Sequence, residues 1–217
     1  MSTRPSRPVV LTKGGSARIS LAKADPEAKI TCTLSWQGRE NGQRSDLDLF
    51  ALHVPAEAVS SAAAATTDAV DHRTLGSLTA APHLLHSGDS TAPGSETVTI
   101  GRLDRHGYIL LCAYSAVSNG VGSFRSYQAE ITVTDHRGQT VTCTLSEESD
   151  KSYWCAFALI DLTDPAGARI RNVENYSGKS IERSPLLRTD GSFEMDKGPF
   201  RFKGLLGLLT RRSKPLS

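Results

Sequence analysis

The chain has 217 residues, a length that fits one domain with extensions or two small domains. Lysine and arginine outnumber aspartate and glutamate by only two, so the composition creates no strong field for nucleic acid or an acidic substrate. Hydrophobic residues make up 38% of the chain before its 18 glycines are added, which excludes disorder along the whole length and allows a core without disulfides or metals.

Three features of the sequence predict a cytoplasmic protein. The four cysteines form no C-x-x-C pair and lie mostly in apolar stretches, which is typical of reduced thiols in a core. Residues 1–8 have no apolar stretch, so we expect no secretory signal. The longest apolar run, residues 108–117, is about half as long as a membrane-spanning helix.

Apolar and polar residues alternate with a period of two in a series of short stretches. This alternation is typical of strands that have one face on a core and the other in water. Turn signals such as Asn41-Gly42 and Asn119-Gly120 separate the stretches. Since no amphipathic helices are interleaved, we predict an all-β fold, an antiparallel β-sandwich. The stretches are residues 17–22, 29–36, 46–52, 97–100, 108–114, 127–133 and 140–145.

Two segments depart from the alternation. Residues 56–81 are rich in alanine, serine and threonine, and we interpret them as an insertion that forms either a short surface helix or a mobile loop. From residue 177 the periodicity ends and basic residues accumulate. The predicted organisation is therefore an N-terminal arm (1–8), a β-sandwich (9–176) and a basic C-terminal tail (177–217).

Two acidic residues lie close together on one predicted strand. Asp46 and Asp48 are two positions apart, so their side chains project from the same face while Leu47 and Leu49 face the core. Neighbouring carboxylates repel each other unless a cation or protons intervene. The pair is therefore a candidate cation site.

The loop of residues 86–96 could complete such a site. It adds the carboxylates of Asp89 and Glu96, and Gly88 and Gly94 let its backbone turn tightly. Ca²⁺ accepts six to eight oxygen ligands of these kinds, whereas the absence of cysteine disfavours zinc. On these residues alone, an ordinary solvated strand end beside a serine- and glycine-rich loop remains the alternative.

Several motifs, in order, resemble the TerD family of tellurium-resistance proteins. Leu11-Thr-Lys-Gly-Gly15, Leu34-Ser-Trp36 and Asp46-Leu-Asp48 resemble its opening segment. His86-Ser-Gly-Asp-Ser90 through Ser95-Glu96 is similar to its H-T-G-D-N … D-D-E segment, and Phe124 to Ile131 resembles a later stretch. The resemblance covers roughly residues 8–176.

The resemblance implies a calcium-binding β-sandwich that acts in the cytoplasm through protein partners, such as other Ter-type stress proteins. The implied metal ligands are Asp46, Asp48, Asp89 and Glu96, with help from Ser90 and Gly94, for one or two Ca²⁺ ions. Ser90 and Ser95 replace the family's usual Asn and Asp, and fewer anionic ligands mean weaker binding. The alternative function is a metal-free sandwich with a structural or assembly role.

Catalysis and zinc binding have weaker support. Gly88-Asp-Ser90 has the appearance of a serine nucleophile, but only seven residues separate Ser90 from His83, and we expect no enzyme. His83 and His86 could bind zinc on a helix, although we favour a loop that enters the next strand.

The end of the chain alternates apolar and basic residues. Leucines between basic clusters in residues 200–214 would suit contact with an anionic membrane or a docking surface, although Gly204 and Gly207 weaken a helix there. Nucleic-acid binding has little support from one short patch.

Overall fold

The computed structural model describes residues 8–38, 45–66, 68–90, 93–116, 124–147 and 152–201. The predicted all-β sandwich is confirmed, with strands in three sheets. Short 3-10 turns cover Ala56–Ala58, Leu103–Arg105 and Phe124–Tyr127. The strands are β1 (Val9–Leu11), β2 (Ser16–Ser20), β3 (Ile30–Trp36), β4 (Leu47–Pro55), β5 (Ala65–Thr66), β6 (Ala69–Val70), β7 (Gly76–Ser77), β8 (Leu84–His86), β9 (Gly94–Ile100), β10 (His106–Ser115), β11 (Glu130–Asp135), β12 (Thr140–Thr144), β13 (Trp154–Asp161), β14 (Gly167–Tyr176), β15 (Leu186–Arg188) and β16 (Phe193–Glu194).

One sheet has the exposed outer face that the alternation predicts. Its seven strands run in the order β1-β12-β11-β3-β9-β8-β7, antiparallel except for the parallel β1–β12 pair. Along β3 the residues alternate between buried and partly exposed, with Cys32 and Leu34 in the core and Thr31 and Thr33 outside. This pattern places the sheet as an outer layer of the sandwich.

The second sheet is buried on both faces. Its strands run in the order β2-β14-β13-β10-β4-β6, and the first eight residues of β4 are all buried. Leu47 and Leu49 face the main core, as predicted, whereas Phe50 and Leu52 face a second apolar cluster on the other side. The sequence predicted that this second face of β4 lies in water. That prediction is wrong, because a third layer covers the face.

The third layer joins two segments that are remote in sequence. In the sheet β16-β15-β5, Leu187 of β15 pairs with Thr66 of β5. The guanidinium of Arg188 donates to the carbonyl of Ala63 at 2.9 Å, and the Thr189 backbone N–H donates to Ala64 at 2.9 Å. The layer thus consists of the predicted insertion and part of the predicted tail.

The insertion connects all three sheets rather than forming a surface helix. Its strands β5, β6 and β7 pair with β15, β4 and β8, so each belongs to a different sheet. The turn at residues 71–74, between β6 and β7, crosses from the six-stranded to the seven-stranded sheet, and backbone hydrogen bonds between Asp71 and Thr74 close it. The insertion therefore closes one edge of the sandwich.

The first part of the predicted tail is ordered by contacts with the domain. Ser184 exchanges backbone hydrogen bonds with Gly198 and Pro199, and the Arg183 guanidinium lies 4.9 Å from the centre of the Phe200 ring. Residues 202–214 of the predicted membrane-contact segment, and residues 1–7 of the predicted arm, lie outside the described residues. Within the described part of the chain, no helix has the length and apolar character needed to cross a bilayer.

One strand begins later than the alternation predicts. Tyr127 is fully buried but belongs to a 3-10 turn, and β11 starts at Glu130. Gln128 has a φ of 51°, which interrupts an extended backbone. Tyr127 reaches the core from this turn. It therefore matched the apolar positions of a strand in the sequence, although its backbone is not extended.

Candidate metal centre

Three of the predicted ligands converge at one end of the sandwich. Asp46 precedes β4, Asp48 is its second residue, and Asp89 follows β8 in the loop that leads to β9. Each offers a carboxylate oxygen, and the three oxygens lie within 4.8 Å of one another. Asp48 is fully buried, Asp46 is 8% exposed, and Asp89 is exposed to solvent.

The dimensions of this cluster suit a calcium ion. Calcium–oxygen distances are about 2.3–2.6 Å, so two ligands on opposite sides of one ion lie about 4.6–5.2 Å apart. Three carboxylates this close repel one another, and a divalent cation between them removes that repulsion. The exposed position of Asp89 leaves an open side for water or further oxygen ligands.

Glu96 lies outside this cluster and holds the loop in place. It is fully buried in β9, and its Oε2 accepts a hydrogen bond from the Leu49 backbone N–H at 2.7 Å. Its Oε1 accepts from the Ser90 backbone N–H at 3.0 Å. One carboxylate therefore ties the strand that carries Asp48 to the loop that carries Asp89.

His86 supports the same arrangement. Its Nδ1 accepts a hydrogen bond from the Gly88 backbone N–H at 2.9 Å, so a neutral ring carries its proton on Nε2. The Nε2 lies 3.2 Å from the Leu49 carbonyl oxygen and 3.5 Å from Glu96 Oε2. Gly88, with a φ of 98°, takes the left-handed backbone conformation that this tight turn requires.

His72 was missed by the sequence analysis. It belongs to the turn between β6 and β7, and its Nδ1 lies 3.2 Å from Asp48 Oδ1, with both side chains buried. The imidazole also packs edge-on against Phe50, with ring centroids 6.1 Å apart. The local sequence around His72 does not predict this contact. The contact exists because the insertion folds back onto β4.

The two remaining predicted ligands, Ser90 and Gly94, have other contacts in the structure. The Ser90 backbone is bound to Glu96, and Gly94 begins β9 opposite Trp36. Residues 91 and 92, which connect them, lie outside the described residues. The structure therefore brings Asp46, Asp48 and Asp89 together and places Glu96 beside them in a supporting position.

His83 and His86, the pair considered for zinc, point to different partners. His83 Nδ1 lies 3.1 Å from the Leu78 carbonyl oxygen, whereas His86 contacts the Leu49 carbonyl. The segment enters β8, as the favoured interpretation expected.

Comparison with solved structures finds proteins with similar folds, including the two that follow. A homologue of the telluride resistance protein TerD from Streptomyces coelicolor A3(2) is 13% identical, with a TM-score of 0.49 over 68% of this chain and 89% of that chain. A protein of unknown function, SAV2460, is also 13% identical, with a TM-score of 0.48 over 72% of this chain and 92% of that chain. No family model and no curated protein matches the sequence.

Proposed function

We propose that this chain is a divergent TerD-type protein that binds one Ca²⁺ through Asp46, Asp48 and Asp89 and acts in stress responses through protein partners. The observation that carries the proposal is the convergence of three carboxylate oxygens, from two separate stretches of chain, to within 4.8 Å. The same two stretches contain the D-L-D and H-S-G-D motifs on which the family resemblance rests.

The donor set favours a hard divalent cation such as calcium over zinc or copper. All three side chains supply hard oxygen atoms, which suit Ca²⁺, and the four cysteines are buried elsewhere in the two apolar clusters. The fixed position of β4 and the hydrogen bonds of Glu96 arrange the ligands before an ion binds. With three carboxylates rather than four or five, we expect weaker binding than in high-affinity calcium proteins.

Isothermal titration calorimetry of chelator-treated full-length protein tests the proposal. We expect heat from calcium addition at a stoichiometry of one, and at least about tenfold weaker binding by Asp89→Asn, because affinity follows ligand charge. Asp190→Asn is the matched control, since Asp190 lies in the β15–β16 turn, where its carboxylate accepts bonds from Ser192. Absence of heat at millimolar calcium would favour the metal-free structural role instead.

We also propose that the protein binds partners and is not an enzyme. The His83 imidazole contacts the Leu78 carbonyl, and the Ser90 backbone serves to position the loop. A partner recovered by the full-length protein in calcium, but lost with chelator or with Asp89→Asn, would support this role. Ester hydrolysis that disappears in Ser90→Ala would contradict it.

A further inference from the structure

The last described residues of the chain hold an aromatic ring in solvent. Phe200 is 55% exposed, the second largest exposure among the large apolar residues that the structure describes. Ile181, two residues before the bridge partner of Phe200, is 38% exposed. Single exposed apolar side chains are common on proteins, so the meaning of Phe200 depends on the groups around it.

The backbone around Phe200 is fixed to the domain on both sides. Before it, the carbonyl of Pro199 accepts a hydrogen bond from the Ser184 backbone N–H at 3.1 Å. After it, the Arg201 side chain is only 15% exposed, and its Nη1 lies 3.9 Å from Asp71 Oδ2 in the turn of the insertion. The exposure of Phe200 is therefore a property of an anchored segment.

A cation lies against the exposed ring. Phe200 forms an antiparallel bridge with Arg183, whose guanidinium carbon lies 4.9 Å from the centre of the ring. Arg183 and the nearby Lys179 are both exposed, whereas Glu182, the acidic residue between them in sequence, is only partly exposed. This surface therefore combines an apolar ring with positive charge.

The sequence that follows has the same two properties. Residues 202–214 contain Phe202, four leucines and four basic residues, and they contain no aspartate or glutamate. They lie outside the described residues, but Arg201 fixes the point from which they start, next to Phe200. The chain thus continues from an apolar and basic surface into an apolar and basic segment.

We propose that Phe200, Ile181 and Arg183 form, together with the segment that follows them, a contact surface for an anionic phospholipid bilayer. Basic side chains are attracted to anionic headgroups, and aromatic and aliphatic side chains enter the boundary between headgroups and acyl chains. An acidic peptide would pair with the basic groups but leave the ring and the leucines in water. A bilayer accommodates both kinds of side chain.

Co-sedimentation of the full-length protein with lipid vesicles tests the proposal. In chelator, the parent should sediment with vesicles of phosphatidylcholine and phosphatidylserine and remain in solution with phosphatidylcholine alone. Phe200→Ser should weaken binding to the anionic vesicles about tenfold, because it removes an apolar contact. Arg183→Gln should weaken it about fivefold, because it removes one charge near the surface.

Matched controls come from other parts of the surface. Val10→Ser changes an apolar residue that is 62% exposed on β1, and Arg171→Gln changes an exposed arginine on β14. Both controls should bind anionic vesicles as the parent does. Equal effects of Phe200→Ser and Val10→Ser, or no difference between the two vesicle compositions, would overturn the proposal.

A tryptophan at position 200 reports the contact directly. Trp36 and Trp154 are 1% and 0% exposed, so brominated lipids added to Phe200→Trp should quench chiefly the new indole. Val10→Trp in the same vesicles should show no such quenching. Equal quenching of the two variants would contradict the assigned surface.

The vesicle contact and the proposed calcium site can fail separately. Asp89→Asn should retain vesicle binding in chelator, since the contact surface does not include the aspartate cluster. Absence of calcium heat with intact vesicle binding would count against the calcium site alone. Binding of soluble polyglutamate by a parent that does not bind vesicles would indicate an acidic protein partner and overturn the membrane proposal.

Discussion

Leu187 of β15 pairs with Thr66 of β5 across 121 residues of sequence, and its side chain is fully buried against the outer face of the six-stranded sheet. This single pairing brings the insertion and the C-terminal segment together. It converts a two-layer sandwich into three layers, and it explains why β4 is buried on both faces.

Leu187→Ala should therefore destabilise the whole protein. Loss of a fully buried leucine leaves a cavity and costs about 2–5 kcal/mol. For a domain of this size, about 1 kcal/mol corresponds to a fall in Tm of about 2–4 °C, which thermal unfolding measures directly. The matched control is Leu85→Ala, because Leu85 is 39% exposed on β8 and its loss should change stability by about 0.5 kcal/mol or less. Equal effects of the two substitutions would show that the third layer contributes little.

Glu96→Gln should lower both the stability of the fold and the affinity for calcium. An amide has one oxygen where the carboxylate has two, so either Leu49 or Ser90 loses its acceptor, at a cost of about 1–3 kcal/mol. Because this cost concerns the fold, Tm should fall even in chelator, which would not follow from loss of a metal ligand alone. Glu147→Gln is the control, as the Glu147 carboxylate is exposed and pairs with Lys13 across the surface. An unchanged Tm in chelator would contradict the supporting role of Glu96.

Asp89→Asn should have opposite effects with and without calcium. In chelator the substitution removes one of three mutually repelling charges, so Tm should stay equal or rise slightly. In calcium the variant lacks a ligand, and the rise in Tm that binding produces should largely disappear. Differential scanning calorimetry in both buffers makes the comparison. A lower Tm in chelator as well would indicate that Asp89 has a purely structural role.

Acid should destabilise the protein through the buried histidine pair. Burial lowers the pKa of His53 and of His106 to about 4, below the ordinary value of 6.5. The unfolded chain therefore binds protons as pH falls below 6.5 while the native state does not, so the free energy of unfolding decreases from about pH 6.5 down to about pH 4. Denaturant unfolding in chelator across this range measures the slope.

His136→Gln is the control for that experiment. His136 is exposed, so the substitution removes an imidazole without changing the core, and the decrease should persist. A free energy of unfolding that stays constant between pH 6.5 and 4.5 would show that the pair is not neutral and buried in solution.

The sandwich was predictable because most of its strands carry their own signal. Alternation marks β3 and β12 clearly, since each has one face in the core and one partly exposed. The third layer was not predictable, because short strands such as β5 and β15 have no alternation and depend on each other for their place. Local pattern contains no information on a pairing so distant in sequence.

Only part of the candidate site was predictable from the sequence. Asp46, Asp48 and Asp89 were identified by spacing and by the family resemblance, and the structure brings them together. Glu96 was included among the ligands because composition alone does not distinguish a carboxylate that binds a metal from one that accepts backbone hydrogen bonds. His72 reaches Asp48 only through the fold of the insertion.

The order in which the ribosome releases the chain gives the third layer a further significance. Strands β4 and β10 are synthesised before β15, but the residues that cover Phe50 and Leu110 on the outer face include Leu187 of β15. Until Leu187 has been synthesised this apolar face is uncovered, and we expect the nascent protein to bind a chaperone during that interval.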